Sequence, residues 1–297
     1  MKHINISTYQ QLIKTILAST LLFFAVSCDK IEPSEDGTYT VYSGAVGEWE
    51  DSEPVADHTH RVWIEKYTGP RCNNCPTADG VIHDILNQAS YRDKVVATAI
   101  HATAVFGYPI GDSPDLRTDE GEAWCTNFFG NTASFPTVLL NRQKNGSTLN
   151  TVNPTSPFTS DIDAIIGEAT TVAIAVESHF DSQAGKISIT SSIELLDNLD
   201  DDITLTVLFI EDSIIATQKM PDGTENAAYV HNHVLRGLVT DKWGFDIDCD
   251  KTRGTARKVT LRADLPEGAK QENCQVVAFV SDKSSRTIYN VATCPIL

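Results

Sequence analysis

The sequence predicts an α/β domain followed by an all-β domain, and three observations carry that expectation. Between Arg61 and Ile100 the chain reads strand, loop, helix, strand, an order that makes a βαβ unit with a parallel strand pair. Beyond Thr171 the texture changes to short runs of alternating polar and apolar residues, clearest in Lys186-Ile-Ser-Ile-Thr-Ser-Ser-Ile193, which suit a β-sandwich. The chain has 297 residues, 41% hydrophobic and 21% charged. That is a folded composition with room for two modest domains.

The N-terminus is a separate matter. In residues 1–27, Lys2 and Lys14 precede an apolar core from Thr15 to Val26, the layout of a secretory signal and not of a spanning helix. The core ends in Ala25-Val26-Ser27-Cys28. This resembles the lipobox of bacterial lipoproteins, with Ala25 where leucine is usual, and predicts cleavage before Cys28 and a lipid on that residue. Residues 28–60 carry Asp29, Glu32, Glu35, Asp36, Glu48, Glu50, Asp51, Glu53 and Asp57. They read as an acidic tether with at most one pairing strand, Thr38–Ser43. The formal net charge of −17 argues against nucleic acid and against electrostatic membrane binding. The leader alone is apolar enough to enter a bilayer, so a polytopic membrane protein is excluded. Export also places the cysteines where disulfides persist.

The elements follow in order. Arg61–Tyr67 is the first firm strand, and Thr68-Gly69-Pro70 ends it. Thr77–Ala89 puts Val81, Ile82, Ile85 and Leu86 on one helical stripe. Val95–Ile100 is a buried strand. Residues 102–120, rich in Gly, Pro and Asp, form a long loop before a short helix near Glu120–Phe129. Thr137–Leu140 is a strand, Lys144-Asn145-Gly146 a hairpin turn, and Ser147–Val152 the return. A helix from Ser160 to Ala169 closes the α/β domain, 61–170. Strands at 172–177, 186–195, 203–210, 256–263, 276–280 and 287–291 make up the all-β domain, 171–297, an immunoglobulin-like sandwich.

The chemistry lies in Arg71-Cys72-Asn73-Asn74-Cys75-Pro76. A C-x-x-C after a buried strand and at a helix start is placed for redox exchange. Amides of the first turn favour thiolate at the leading sulfur, and the two-residue spacing lets the second thiol reach back. Cys72 is therefore expected to be accessible and acidic, helped by Arg71 and Lys66, and Cys75 to be buried. Ser134-Phe135-Pro136-Thr137 precedes the next strand directly, where a proline needs a special reason.

Both motifs, in this order on these elements, resemble the thioredoxin fold over residues 61–169. The resemblance implies a cis peptide before Pro136 and a substrate groove lined by Phe135, Pro136 and Thr137. Two departures stand out: about twenty extra residues before Pro136, and Lys66 where thioredoxin carries a buried acid. Either Glu65 replaces that acid or proton relay is altered. Together with the lipobox, the segment Thr68–Pro76 and Tyr229-Val-His-Asn-His-Val-Leu-Arg236 resemble the outer membrane protein 28 related lipoproteins of the Bacteroidetes type. That resemblance implies a thioredoxin-like domain, a β-sandwich and lipid anchorage at the cell outer membrane, periplasmic or surface-exposed.

Two functions compete. The first is a lipid-anchored, extracytoplasmic thiol-disulfide oxidoreductase acting on protein thiols or disulfides: Cys72 attacks, Cys75 resolves, and no cofactor is needed. The second is a non-catalytic surface lipoprotein, a scaffold binding protein or glycan, with Cys72–Cys75 an inert disulfide. Zinc ligand types exist in Cys72, Cys75, His58 and His60, but a single C-x-x-C in this context predicts no metal. His231 and His233 alternate on one face of a possible strand, and His101 ends another near the cysteines. For the rest, Cys274 and Cys294 lie equally far from Ser284. A three-residue loop centred there would set them opposite and allow a structural disulfide, leaving Cys125 and Cys249 unpaired. A four-residue loop would spoil that register, and Cys249 in the Asp246–Asp250 loop could then take one partner.

Overall fold

The structure, a computed structural model, describes residues 47–130 and 133–297. The leader, Cys28 and the strand expected at Thr38–Ser43 lie outside them. The chain runs through β1 (Glu50–Asp51), β2 (Val62–Thr68), α1 (Cys75–Leu86), β3 (Val95–His101), a π-helical turn at Thr103–Gly107, α2 (Asp119–Phe129), β4 (Thr137–Asn145), β5 (Thr148–Val152) and α3 (Thr159–Gly167). Strands follow: β6 (Val172–Asp181), β7 (Lys186–Leu195), β8 (Ile203–Glu211), β9 (Ile214–Lys219), β10 (Glu225–His231), β11 (Val234–Leu238), β12 (Phe245–Asp246), β13 (Ala256–Ala263), β14 (Cys274–Asp282) and β15 (Ile288–Pro295).

Most of these strands enter one open sheet, ordered β15-β14-β8-β11-β3-β2-β4-β5, with β12 also on β8. β2 and β3 are parallel, and β4 runs antiparallel to β2. A four-stranded sheet, β1-β13-β7-β6, forms a second layer. The hydrogen bonding crosses the expected boundary at residue 170. β11 joins β3 with Val234 opposite Ala99, and the Ala99 N–H donates to the His233 carbonyl at 2.7 Å. The β-rich half is therefore not a sandwich closed on its own strands, because one of its two layers is part of the sheet that β2 begins. Part of the acidic segment also packs on this body. β1 pairs with β13, Trp49 stacks on Phe245 and Val55 is buried, so the expected tether does not extend through residues 49–55.

Alternation along the strands sorts the cores. Val62 and Ile64 of β2 pack with Ile82, Ile85, Ile162 and Ile165 of α1 and α3. At the other end of the sheet, Val207, Phe209, Val276 and Ala278 pack with Ile174, Ile187, Ile189 and Val259 of the smaller sheet. The opposite face gathers Trp63, Tyr67, Trp124, Leu139, Leu235 and Phe279 from both halves of the chain.

That third core holds a charge pair. Arg142 donates from Nε and Nη2 to the two Glu65 oxygens, each at 2.8 Å, and Tyr67 donates its hydroxyl to Glu65 at 2.7 Å. Glu65 is 0% exposed and Arg142 2%. The guanidinium lies 4.7 Å from the Trp124 ring, 4.8 Å from Phe128 and 5.5 Å from Phe279. Two residues of β4 at positive φ, Asn141 at 47° and Arg142 at 49°, form the bulge that aims this side chain inward.

The expected Cys274–Cys294 disulfide is corrected. The β14–β15 loop has four residues, Lys283–Arg286, closed by the Asp282 N–H on the Thr287 carbonyl, and a bulge at Tyr289 adds a further step. Val276 therefore stands opposite Cys294. Cys274 is its diagonal neighbour and pairs instead with Glu211 of β8. A diagonal separation of about 7–8 Å exceeds what a disulfide spans. All four of Cys125, Cys249, Cys274 and Cys294 are free thiols.

Removing one member of the buried pair strands the other's charge. Glu65→Ala and Arg142→Met should each lower unfolding free energy by about 3–5 kcal/mol, read from urea denaturation midpoints. A loss under about 1 kcal/mol would show that the pair is relaxed by solvent.

Candidate functional site

β2 ends at Thr68, and Gly69–Asn74 leads into α1, whose first residues are Cys75 and Pro76. Cys72 and Cys75 form a disulfide with Cα atoms 5.4 Å apart. The Cys72 N–H donates to the Gly69 carbonyl and the Cys75 N–H to the Cys72 carbonyl, turning the loop tightly enough for the sulfurs to meet. Tyr67 stands opposite Thr137 in the β2–β4 register. The chain leaving β2 toward the cysteines therefore starts beside the chain entering β4 from Pro136. The Phe135–Pro136 peptide is cis, and Phe135 packs in the same core as both cysteines.

The expectation of an accessible Cys72 is corrected: it is 2% exposed and Cys75 0%. Two segments cover them. The first is the insertion after β3. The Arg71 N–H donates to the Phe106 carbonyl at 3.0 Å, and the Arg71 guanidinium binds the carbonyls of Tyr108 and Pro109. Gly69 admits this approach because a Cβ there would lie 2.3 Å from the Phe106 carbonyl oxygen. The second is the β9–β10 hairpin. The Lys219 N–H donates to the Pro70 carbonyl at 2.8 Å, and the Gln218 side-chain amide donates to the Cys72 carbonyl at 2.9 Å. Sequence reasoning missed this hairpin. Ile214–Lys219 and Glu225–His231 lack the apolar alternation of core strands because the buried positions of β9 are Ala216 and Gln218 and β10 is exposed over most of its length.

Behind the loop lies a polar cluster. Lys66, on the α1 side of β2, contacts the Asp79 carboxylate, and Tyr229 of β10 donates to the other Asp79 oxygen at 2.8 Å. Burial lowers the pKa of Lys66 to about 7, while contact with Asp79 pulls the other way. Glu65 faces the other side of the sheet from Lys66, where both its oxygens are taken by Arg142. His101 and His231 meet edge to face with ring centroids 5.3 Å apart. Both ring nitrogens of His101 and Nε2 of His231 are buried without a partner among the described residues. Burial, then the neighbouring His231 and Lys66, holds His101 well below the usual histidine range. Burial, then Lys66, lowers His231 to about 4. His233 does not share a strand face with His231. It sits at φ 58° in the turn between β10 and β11 and pairs with Asp212. A small, open cleft lies beside Lys66, Asp79, His83, Thr98, Asn232 and His233. His58 and His60 bind Glu194 and the Glu168 carbonyl.

Residues 125–296 match the model of the family described as outer membrane protein Omp28. No curated protein matches the sequence. Among solved structures, HBP35 of Porphyromonas gingivalis aligns with a TM-score of 0.62 at 15% identity, over 82% of this chain and 77% of that one. A structural-genomics protein of Agrobacterium tumefaciens aligns with a TM-score of 0.50 at 14% identity, over 82% of this chain and 96% of that one. Both likenesses are of fold. A domain of the outer membrane lipoprotein Omp28 from Porphyromonas gingivalis aligns at 23% identity over 43% of this chain and 90% of that one, with a TM-score of 0.30.

The histidine pair sets a pH dependence. Each ring stays neutral when folded and takes a proton when unfolded, so the unfolded state binds more protons below about pH 6.5 and stability falls as pH drops toward 4. His231 alone contributes about 3 kcal/mol to that fall. Urea midpoints measured from pH 7 to pH 4 should decline less steeply in His231→Gln than in the parent.

Proposed function

Because the chain belongs to the outer membrane protein Omp28 family, we propose that it is a thiol-disulfide oxidoreductase of the cell envelope, with Cys72 and Cys75 as the exchanging pair. Family membership places the protein at the outer membrane, and in our reading a lipid on Cys28 anchors it there. We take residues 61–170 as a thioredoxin-like domain and 171–297 as an immunoglobulin-like sandwich that borrows its sheet. The observation that carries the function is the C-x-x-C disulfide at the first turn of α1, with Phe135 packed in the same core.

The chemistry is a reversible exchange. In the reduced form the Cys72 thiolate attacks a substrate disulfide, forming a mixed disulfide and expelling one substrate sulfur as thiolate. The Cys75 thiolate then attacks the Cys72 sulfur, closes the Cys72–Cys75 bond and expels the second substrate sulfur. Two electrons and two protons pass to the substrate, and an extracytoplasmic dithiol returns them. Run backwards, the same steps oxidise a substrate dithiol. Helix amides near Cys72 lower the cost of its thiolate in either direction. Phe135, Pro136 and Thr137 would line the substrate edge.

Burial of both cysteines favours a second reading, in which the disulfide is an inert brace in a scaffold that binds protein or glycan. The reduction potential separates the two. An exchanging pair should fall between about −270 and −120 mV, and a brace below about −300 mV. In the first case Cys75→Ser should accumulate a mixed disulfide with a cysteine-containing peptide and Cys72→Ser should not. A potential below the exchanging range together with no trapped adduct would overturn the proposal.

The anchor is tested separately. Cys28→Ala should move the protein out of the membrane fraction and abolish labelling by a metabolic lipid probe, and an unchanged distribution would show that another group holds it there.

A further inference from the structure

We propose that the β9–β10 hairpin is a self-occupying cover, in which β9 holds the backbone acceptors that an extended, cysteine-containing peptide would take, so that Cys72–Cys75 exchanges only when the hairpin is displaced. The inference rests on the oxidoreductase reading and adds to it a substrate class, extended peptide, and a built-in competitor.

Four observations carry it. First, the hairpin takes the Pro70 carbonyl through the Lys219 N–H and the Cys72 carbonyl through the Gln218 amide. These acceptors flank the attacked sulfur, where a peptide strand would bind by its own N–H groups. Second, β9 and β10 pair with each other in a separate two-stranded sheet. Ile215 and Val230 stand exposed on the hairpin, and a two-stranded hairpin is marginal by itself. Its apolar ties are small, Ile214 and Ala216 against Leu116 and Val234 and the His231 ring against His101, and its further polar ties are Ser113 with Thr217 and Tyr229 with Asp79.

Third, the base of the hairpin is pinned. The Ser213 N–H donates to Asn232 and the His233 N–H to Asp212, and Ser213 and His233 have φ of 63° and 58°. The segment between them can swing as one piece about that base. Fourth, closure leaves the His101 nitrogens and the His231 Nε2 buried without partners among the described residues. Such groups cost free energy when shut from water. Opening hydrates them, so the closed state is held by a small margin, and peptide affinity is reduced by the fraction of molecules that are closed.

The test compares the full soluble chain with the double variant Gln218→Ala/Tyr229→Phe. Two quantities are followed without denaturant: the rate at which dithiothreitol reduces Cys72–Cys75, and deuterium exchange of the Lys219 amide. The double variant should be reduced about tenfold faster, with Lys219 exchange accelerated in proportion, as expected for the loss of two hydrogen bonds. Ile215→Lys, on the exposed side, should leave both rates at the parent value. If the double variant fails to fold, Tyr229→Phe alone should show the same ordering by amide exchange. Equal reduction rates in parent and loosened variant would overturn the cover. Faster reduction without turnover of a disulfide peptide would leave the cover standing and overturn the oxidoreductase. Peptide turnover equal in parent and variant, with equal reduction rates, would do the reverse.

Discussion

A strand buried on both faces that carries a carboxylate and an ammonium at consecutive positions obliges each face to supply the opposite charge, because neither ion can be left dry and alone. β2 is such a strand, with Glu65 and Lys66 side by side. On one face Glu65 requires Arg142, and delivering Arg142 requires the left-handed kink in β4. That guanidinium in turn sits among aromatic rings from α2 and β14. On the other face Lys66 requires Asp79, which fixes a turn of α1, and the spare oxygen of Asp79 receives Tyr229 from the hairpin. α1, the kinked strand and the β9–β10 hairpin thus answer two neighbouring residues of one strand.

Much of this architecture is legible in local sequence. The βαβ start, the C-x-x-C at a helix N-terminus, the proline before β4 and the alternation in β7 are short-range signals, and each element lies where they indicate. What is not legible depends on pairing between distant segments. Nothing near Val234 announces that it will stand beside Ala99, so the shared sheet cannot be read from either half. The β14–β15 register turns on one extra loop residue and one bulge, which turn chemistry around Asp282-Lys283-Ser284-Ser285 does not fix. Burial of Cys72 is invisible for the same reason, since the insertion after β3 and a residue 146 positions later in the chain both produce it. Glu65 could be weighed as a substitute acid because nothing local shows that Arg142, 77 positions later, takes both its oxygens.

The polar cluster under the hairpin explains why a redox-type motif can coexist with a shielded disulfide. A fully apolar contact would close the cover firmly, whereas unpaired imidazoles, a desolvated lysine and a tyrosine hydroxyl make it a contact that water can replace. Under the proposed exchange, an extended peptide would bring the same N–H donors that β9 uses and could take over those acceptors without leaving any of them bare.

The seam between β3 and β11 has a further consequence for modularity. In a chain of independent beads, a redox unit can be cut out, duplicated or exchanged with its activity intact. Here a fragment ending at residue 170 would carry β3 as a raw edge and would lose Phe279 from the ring cage around Arg142. Its unpaired backbone and bared rings would invite association with other chains. The two textures seen in the sequence are therefore parts of one inheritable piece, and the cysteine pair comes with its β-rich half or not at all.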